Sequence, residues 1–245
     1  MAGVTRLDAP AKLTIALQVA GVRDDGYHLI MAEMTELVLA DTVEITETDE
    51  SSVTVDGPFA AGVPTDGSNL VMKALALAGR TAHVHITKNV PNGGGLGGGS
   101  SDAAAVLRWA GFRNLAAAAT VGADIPFCMV GGRAVVMGIG EIVNSLPDKN
   151  REITLVIPPL HVSTPAVYRK WDELGGPRTH PVNQLTEAAI AVEPRLAEWE
   201  KRIREASGSE PVLAGSGATW FLHGHHDIAA DLPDATVITT NTRPA

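Results

Sequence analysis

Residues 91–105 read PNGGGLGGGSSDAAA, with glycine at six of the seven positions from Gly93 to Gly99. Glycine loses more conformational freedom on ordering than any other residue, so this run weakens a fold unless its bare backbone must touch something. It sits between a strand pattern and a helix pattern. Ahead of it, Val84 and Ile86 alternate with His83, His85 and Thr87, whose polar side chains read as the solvated face of a strand. Behind it, Ser100 or Ser101 is placed to cap a helix reaching Ala110, with Gly111 as its stop. A loop of unpaired N–H groups entering a helix N-terminus is an anion site, because amides and helix dipole both point at the ligand. A nucleotide phosphate is the anion such a loop suits.

Other glycine motifs fit less well. A flexible linker would not carry Leu96 in its middle. Gly93, Gly95 and Gly98 match a dinucleotide fingerprint in spacing, but that motif opens a βαβ unit and needs an acidic residue about 20 positions on. No acidic residue lies between Asp102 and Asp124. A P-loop ends in Gly-Lys-Ser or Gly-Lys-Thr, whereas Ser100 follows Gly99.

The surrounding 245 residues suit one large domain or two modest ones, and 45% hydrophobic content can fill a core. A net charge of −9 with no basic stripe argues against nucleic acid as a partner. One cysteine, Cys128, excludes an internal disulfide and fits a reducing compartment. The opening MAGVTRLDAPAKL lacks the apolar centre of a signal peptide. No apolar run approaches the roughly 18 residues of a membrane span. The expectation is a cytoplasmic monomer or homodimer that meets neither membrane nor nucleic acid.

Elsewhere, Leu13, Ile15, Leu17 and Val19 alternate with polar or small residues, predicting a strand with one aliphatic face and Lys12 and Thr14 together on the other. Arg23-Asp24-Asp25-Gly26 is turn chemistry leading to Tyr27 and His28. Val43 and Ile45 suggest a further strand, and Ser68 can cap a helix through Ala78 stopped by Gly79. Strands are expected at Ala134–Met137, Glu141–Leu146, Ile153–Ile157, Thr219–Leu222 and Thr236–Thr239. Helices are expected from Thr164-Pro165, over Pro194–Ala206 and over Ile228–Leu232. Strands and helices mix without a strict βαβ rhythm, which reads as α+β. Polar residues 148–151 after Pro147 suggest a boundary between an N-terminal domain over 1–148 and a C-terminal domain over 149–245. His223, His225 and His226 lack carboxylate or thiol spacing for a metal centre and read as a solvated loop.

The glycine loop resembles the second motif of the GHMP kinases, the superfamily of galactokinase, homoserine kinase and mevalonate kinase. Within it, the branch acting on a cytidine-diphosphate-linked methylerythritol is similar in further segments: APAKLTIALQVAGVRDDGYHLI from Ala9, GADIPFC from Gly122, GGRAVVMGIGE from Gly131, STPAVY from Ser163 and LAGSGAT from Leu213. They run in order along nearly the whole chain. The resemblance implies a domain like the second domain of ribosomal protein S5, followed by a ferredoxin-like domain. It implies ATP and Mg²⁺ as cofactors and phosphorylation of the substrate's 2-hydroxyl on the non-mevalonate route to isoprenoid precursors. The alternatives are a GHMP kinase for another small alcohol and a nucleotide-binding regulator without catalysis. Tyr27, His28 and Tyr168 speak against the first, Lys12 with Asp124 against the second.

Phosphoryl transfer asks for positioning and charge neutralisation rather than covalent chemistry. Pro91, Gly93 and the backbone from Gly95 through Leu96, Gly97, Gly98 and Gly99 to Ser100 and Ser101 are expected at the phosphates, the serine hydroxyls also being available to Mg²⁺. No metal ligand set is assigned. By resemblance, Asn69 belongs to the adenine-side helix start. Asp124 is implied as the base for the accepting hydroxyl, and Lys12 as the ammonium beside it. Tyr27 and Tyr168 are implied around the cytosine, with His28 on the base edge. Thr14, Thr164, Gly215, Ser216 and Gly217 are implied near the substrate. Thr14 stands where the family usually has Asn, and Asn183-Gln184-Leu185 where Asn-Asp-Leu is common.

Overall fold

A computed structural model describes residues 3–177 and 180–244. The elements run β1 (Thr5–Val22), β2 (His28–Glu47), β3 (Ser52–Asp56), α1 (Leu70–Ala78), β4 (Ala82–Thr87), α2 (Gly98–Trp109), α3 (Leu115–Ala119), α4 (Ile125–Val130), β5 (Arg133–Gly138) and β6 (Ile142–Leu146). Then follow β7 (Glu152–Ile157), α5 (Thr164–Glu173), α6 (Thr186–Val192), α7 (Arg195–Ser207), β8 (Val212–Leu213), β9 (Trp220–His223) and β10 (Thr236–Asn241). The architecture is α+β. One sheet has the order β3-β4-β2-β5-β6 with β1 paired along β2, and an antiparallel sheet has the order β10-β7-β9-β8.

The turn at Arg23–Gly26 joins β1 to β2 as its chemistry predicts, closed by Gly26 N–H donating to Arg23 O and by Gly26 at φ +86°. The single aliphatic face expected for β1 does not hold. Between Thr14 and Ala16 two residues of β1 oppose one of β2, and such a bulge reverses the alternation. Leu13 and Ile15 therefore pack in the cluster with Leu155 and Phe221, while Leu17 and Val19 join the main core. Lys12, Thr14 and Leu17 end up facing one cavity.

A second irregularity matters more. Pairing jumps from Pro10–Ala40 to Lys12–Glu36, and the freed Lys12 N–H donates to Leu96 O at 2.9 Å. The glycine loop is thus anchored to β1 through backbone. Beneath it, Ser101 to Leu107 of α2 are all buried, the alanines letting the helix pack closely on its neighbours.

Four local expectations change. Gly97, at φ +69°, occupies the N-cap of α2, so Ser100 and Ser101 lie inside its first turn. Asn69, not Ser68, caps α1, accepting from Val71 N–H at 2.8 Å, while Ser68 bonds Asp66. Ser163 rather than Thr164 precedes α5. Residues 228–232 form hydrogen-bonded turns that bury Ile228 and Leu232, not a helix. Sequence patterning also passed over β3, α6 and β8, which are short and carry little periodicity.

Candidate active site

Two cavities meet beside the glycine loop. The larger, of about 650 Å³, is lined among others by Lys12, Thr14, Tyr27, His28, Gly95, Ser100, Asp124, Thr164, Tyr168, Gly215 and Ser216. The smaller, of about 290 Å³, is lined by Leu70, Lys88, Val90, residues 91–100 and Asp124. Gly95, Ser100 and Asp124 line both. A carboxylate therefore stands where the smaller recess opens into the larger cleft.

Asp124 occupies the N-cap position of α4, yet its side chain makes no capping bond. It faces Lys12, with Nζ and Oδ2 3.1 Å apart, and Lys12 Nζ also lies 3.3 Å from Thr14 Oγ1. The lysine side chain is 7% exposed and the carboxylate 31%. A six-residue helix has no stability of its own. Burial of Ile125, Phe127 and Cys128 holds α4 in place, at about 1.5–3 kcal/mol for a large apolar side chain. The Arg108 guanidinium donates to Cys128 O at the same helix. The Cys128 thiol is pushed far above its usual range by burial and by the Asp124 charge, so it is an inert core group.

The loop needs its glycines for close approach. A methyl on Gly97 would stand 2.6 Å from Lys12 Cγ, and one on Gly95 2.9 Å from Gly217 O. The third glycine motif is pinned by Asn183, whose Nδ2 donates to Leu213 O at 2.8 Å and to Gly215 O at 2.7 Å. Thr164 and Ser216 hydroxyls meet at 2.7 Å and join the start of α5 to that motif.

At the far end of the cleft His28 and Tyr168 pack with ring centroids 4.7 Å apart. The Tyr168 hydroxyl is raised well above its ordinary pKa by burial and then by the Asp124 charge. Tyr27 stands at the rim, 59% exposed, with the Arg23 guanidinium over its ring. Three expected residues lie off the cavity walls. The Asn69 amide is committed to its cap and to Pro64 O. Ser101 is fully buried below the loop, and Gly217 packs behind Gly95.

Sequence reading missed a buried triad under the loop. Lys88 Nζ bonds both Asp41 and Asp102, the latter at 2.7 Å. Asp41 Oδ1 also accepts from Asn89 and Val90 N–H at 2.6 and 2.8 Å. The triad ties β2, the segment after β4 and α2 together where the glycine loop begins. Asp102 was visible at the helix start, but nothing in the spacing tied it to Lys88 or Asp41. Among the described residues no group of three or more His, Cys, Asp or Glu could hold a metal ion. His225 and His226 instead bond the backbone oxygens of Thr240 and His223. Among those residues no helix is long and apolar enough to cross a membrane.

Known proteins share the sequence and the fold of this chain. Residues 69–132 match the GHMP kinases N terminal domain. The chain is 38% identical to the 4-diphosphocytidyl-2-C-methyl-D-erythritol kinase of Ruegeria pomeroyi, covering 87% of this chain and 86% of the relative. It is 36% identical to that of Paracoccus denitrificans, covering 96% and 92%. A solved 4-(cytidine 5'-diphospho)-2C-methyl-D-erythritol kinase superposes with a TM-score of 0.77 at 29% identity, over 98% of this chain and all of the other. Methanococcus jannaschii mevalonate kinase shares the fold, with a TM-score of 0.60 at 12% identity.

Proposed function

The chain belongs to the 4-diphosphocytidyl-2-C-methyl-D-erythritol kinases, and from that premise we propose how its two cavities divide the reaction. The enzyme phosphorylates the cytidine-diphosphate-linked methylerythritol of the non-mevalonate isoprenoid pathway, with ATP as phosphate donor. The smaller cavity takes the ATP phosphates and the larger the substrate, whose 2-hydroxyl reaches Asp124 at the junction. The single observation that carries this reading is the Lys12–Asp124 pair at that junction.

Asp124 holds the proton of the attacking hydroxyl and accepts it as the bond to phosphorus forms. The Lys12 ammonium, 3.1 Å away, holds that carboxylate in place and offsets negative charge in the transition state. The bare N–H groups of residues 95–100 position the transferring phosphate, in a loop packed so closely on Lys12 and Gly217 that a methyl on Gly97 or Gly95 would collide with them. Mg²⁺ suits a site with few protein ligands, because it binds largely through substrate phosphates and waters. The Ser100 hydroxyl, on the wall of both cavities, is the group that would hold it. When bound it neutralises phosphate charge. Tyr168, Tyr27 and His28 receive the cytosine. All these groups come from one chain, so the reading works for a monomer or a homodimer in the cytoplasm. Residues 1–148 carry the phosphate loop and base, and residues 149–245 supply Thr164, Tyr168 and the third glycine motif.

The deciding assay is ADP release from Mg-ATP with the cytidyl substrate, against free methylerythritol and homoserine. Turnover with the cytidyl substrate alone is expected. Equal turnover of either control would move the enzyme to another alcohol, and ATP binding without turnover would make it a regulator.

A further inference from the structure

His28 Nε2 lies 2.8 Å from Asp172 Oδ1 at the base-binding end of the larger cavity. The partners come from distant parts of the chain. His28 opens β2 opposite Val22, and Asp172 stands near the end of α5, one turn beyond Tyr168. The histidine side chain is only 9% exposed, against 46% for the aspartate. Tyr168 packs on the ring, and Trp171 meets it edge-on at 5.8 Å. Among the described residues Nδ1 has no hydrogen-bond partner.

A carboxylate only accepts, so Nε2 carries the proton in this bond, and in the neutral ring Nδ1 is then a bare acceptor. We propose that Asp172 is a positioning residue that fixes His28 as the Nε2–H tautomer, so that Nδ1 reads an amino group on the pyrimidine and rejects a carbonyl there. The inference rests on the kinase reading above. Cytosine offers an exocyclic amino donor at this edge, whereas uracil offers an oxygen. Two acceptors facing each other leave both unpaired in a site short of water, which is how a hydrogen-bonding pocket discriminates. Asp172 acts through the ring and does not touch the base.

The test compares wild type, Asp172→Asn and Asp172→Glu with the cytidine-diphosphate-linked substrate and its uridine counterpart. It adds nitrogen-15 NMR of the His28 ring, identified by its loss in His28→Gln. The amide introduced by Asp172→Asn can donate to Nε2 and drive the proton to Nδ1. The cytidyl-over-uridyl ratio in kcat/KM should then fall about tenfold, the size of one hydrogen bond. The loss should appear in KM, and the ring signature should change from Nε2–H to Nδ1–H. Asp172→Glu should restore most of the ratio. An unchanged ratio in Asp172→Asn, or a doubly protonated ring in the wild type at assay pH, overturns the proposal. Failure of the wild type to phosphorylate either substrate would instead overturn the kinase reading and base recognition with it, while the ring signature still decides what Asp172 does to His28.

Discussion

Lys12 Nζ and Asp124 Oδ2 stand 3.1 Å apart, the ammonium almost covered and the carboxylate open to both cavities. The exposed partner is thus the one able to meet substrate, and the covered one is held to serve it. Asp124→Ala should lower kcat by about 10²–10⁴-fold, the usual worth of a positioned base. ATP affinity should stay near wild type, because the glycine loop is untouched. Steady-state ADP release with a separate nucleotide-binding titration checks both halves.

Lys12→Met keeps most of the volume against Gly97 and removes the charge. Groups that act as a unit lose activity non-additively. Lys12→Met combined with Asp124→Ala should therefore cost about as much kcat as the worse single variant. A fully multiplicative loss would mean that the two act independently.

Gly97→Ala and Gly62→Ala form a matched pair. Both glycines have positive φ, at +69° and +77°, but only Gly97 faces Lys12, and nothing lies within 4 Å of Gly62. Gly62→Ala should lose about 1–2 kcal/mol of stability from the left-handed backbone, and Gly97→Ala more, because its methyl would stand 2.6 Å from Lys12 Cγ. Only Gly97→Ala should also weaken ATP binding and turnover. Urea melts and KM for ATP separate the two effects.

Asp102 is raised to about 7, first by burial, with the Asp41 charge adding to it and the Lys88 ammonium opposing. Asp41 has two backbone donors besides Lys88, while Asp102 Oδ1 has no partner, so Asp102 is the carboxyl that keeps a proton. The unfolded chain releases that proton near the ordinary value of 3.8. The native state binds more protons between the two values, so this group makes stability fall as pH rises from about 4 to 7. Asp102→Asn should flatten that slope in urea titrations across the window. An unchanged slope would show that Asp102 is ionised in the folded state.

Tyr168→Ala removes the ring packed on His28. Aromatic stacking on a base is worth about 1–3 kcal/mol, so KM for the cytidyl substrate should rise by roughly 5–150-fold. KM for ATP should not move, since Tyr168 lines only the larger cavity. Tyr168→Phe should behave nearly as wild type.

The glycine loop ahead of a helix, the turn at Arg23–Gly26, the strand before the loop and the α+β mixture were legible in sequence, because spacing and glycine content encode backbone geometry over a few residues. The motifs around Lys12 and Asp124 singled both out in sequence, and the fold brings their side chains to 3.1 Å. The tertiary structure decided what lay beyond that range. A bulge after Thr14 sent Leu13 and Leu17 into different clusters, since one inserted residue reverses a two-residue period. Residues 228–232 stayed as turns that still bury Ile228 and Leu232. Lys88 between Asp41 and Asp102, and His28 against Asp172, exist only after sheets and helices pack. Charge partners far apart in sequence leave no local pattern, so the chain alone names the chemistry of the site, and the packing chooses which groups hold it in place.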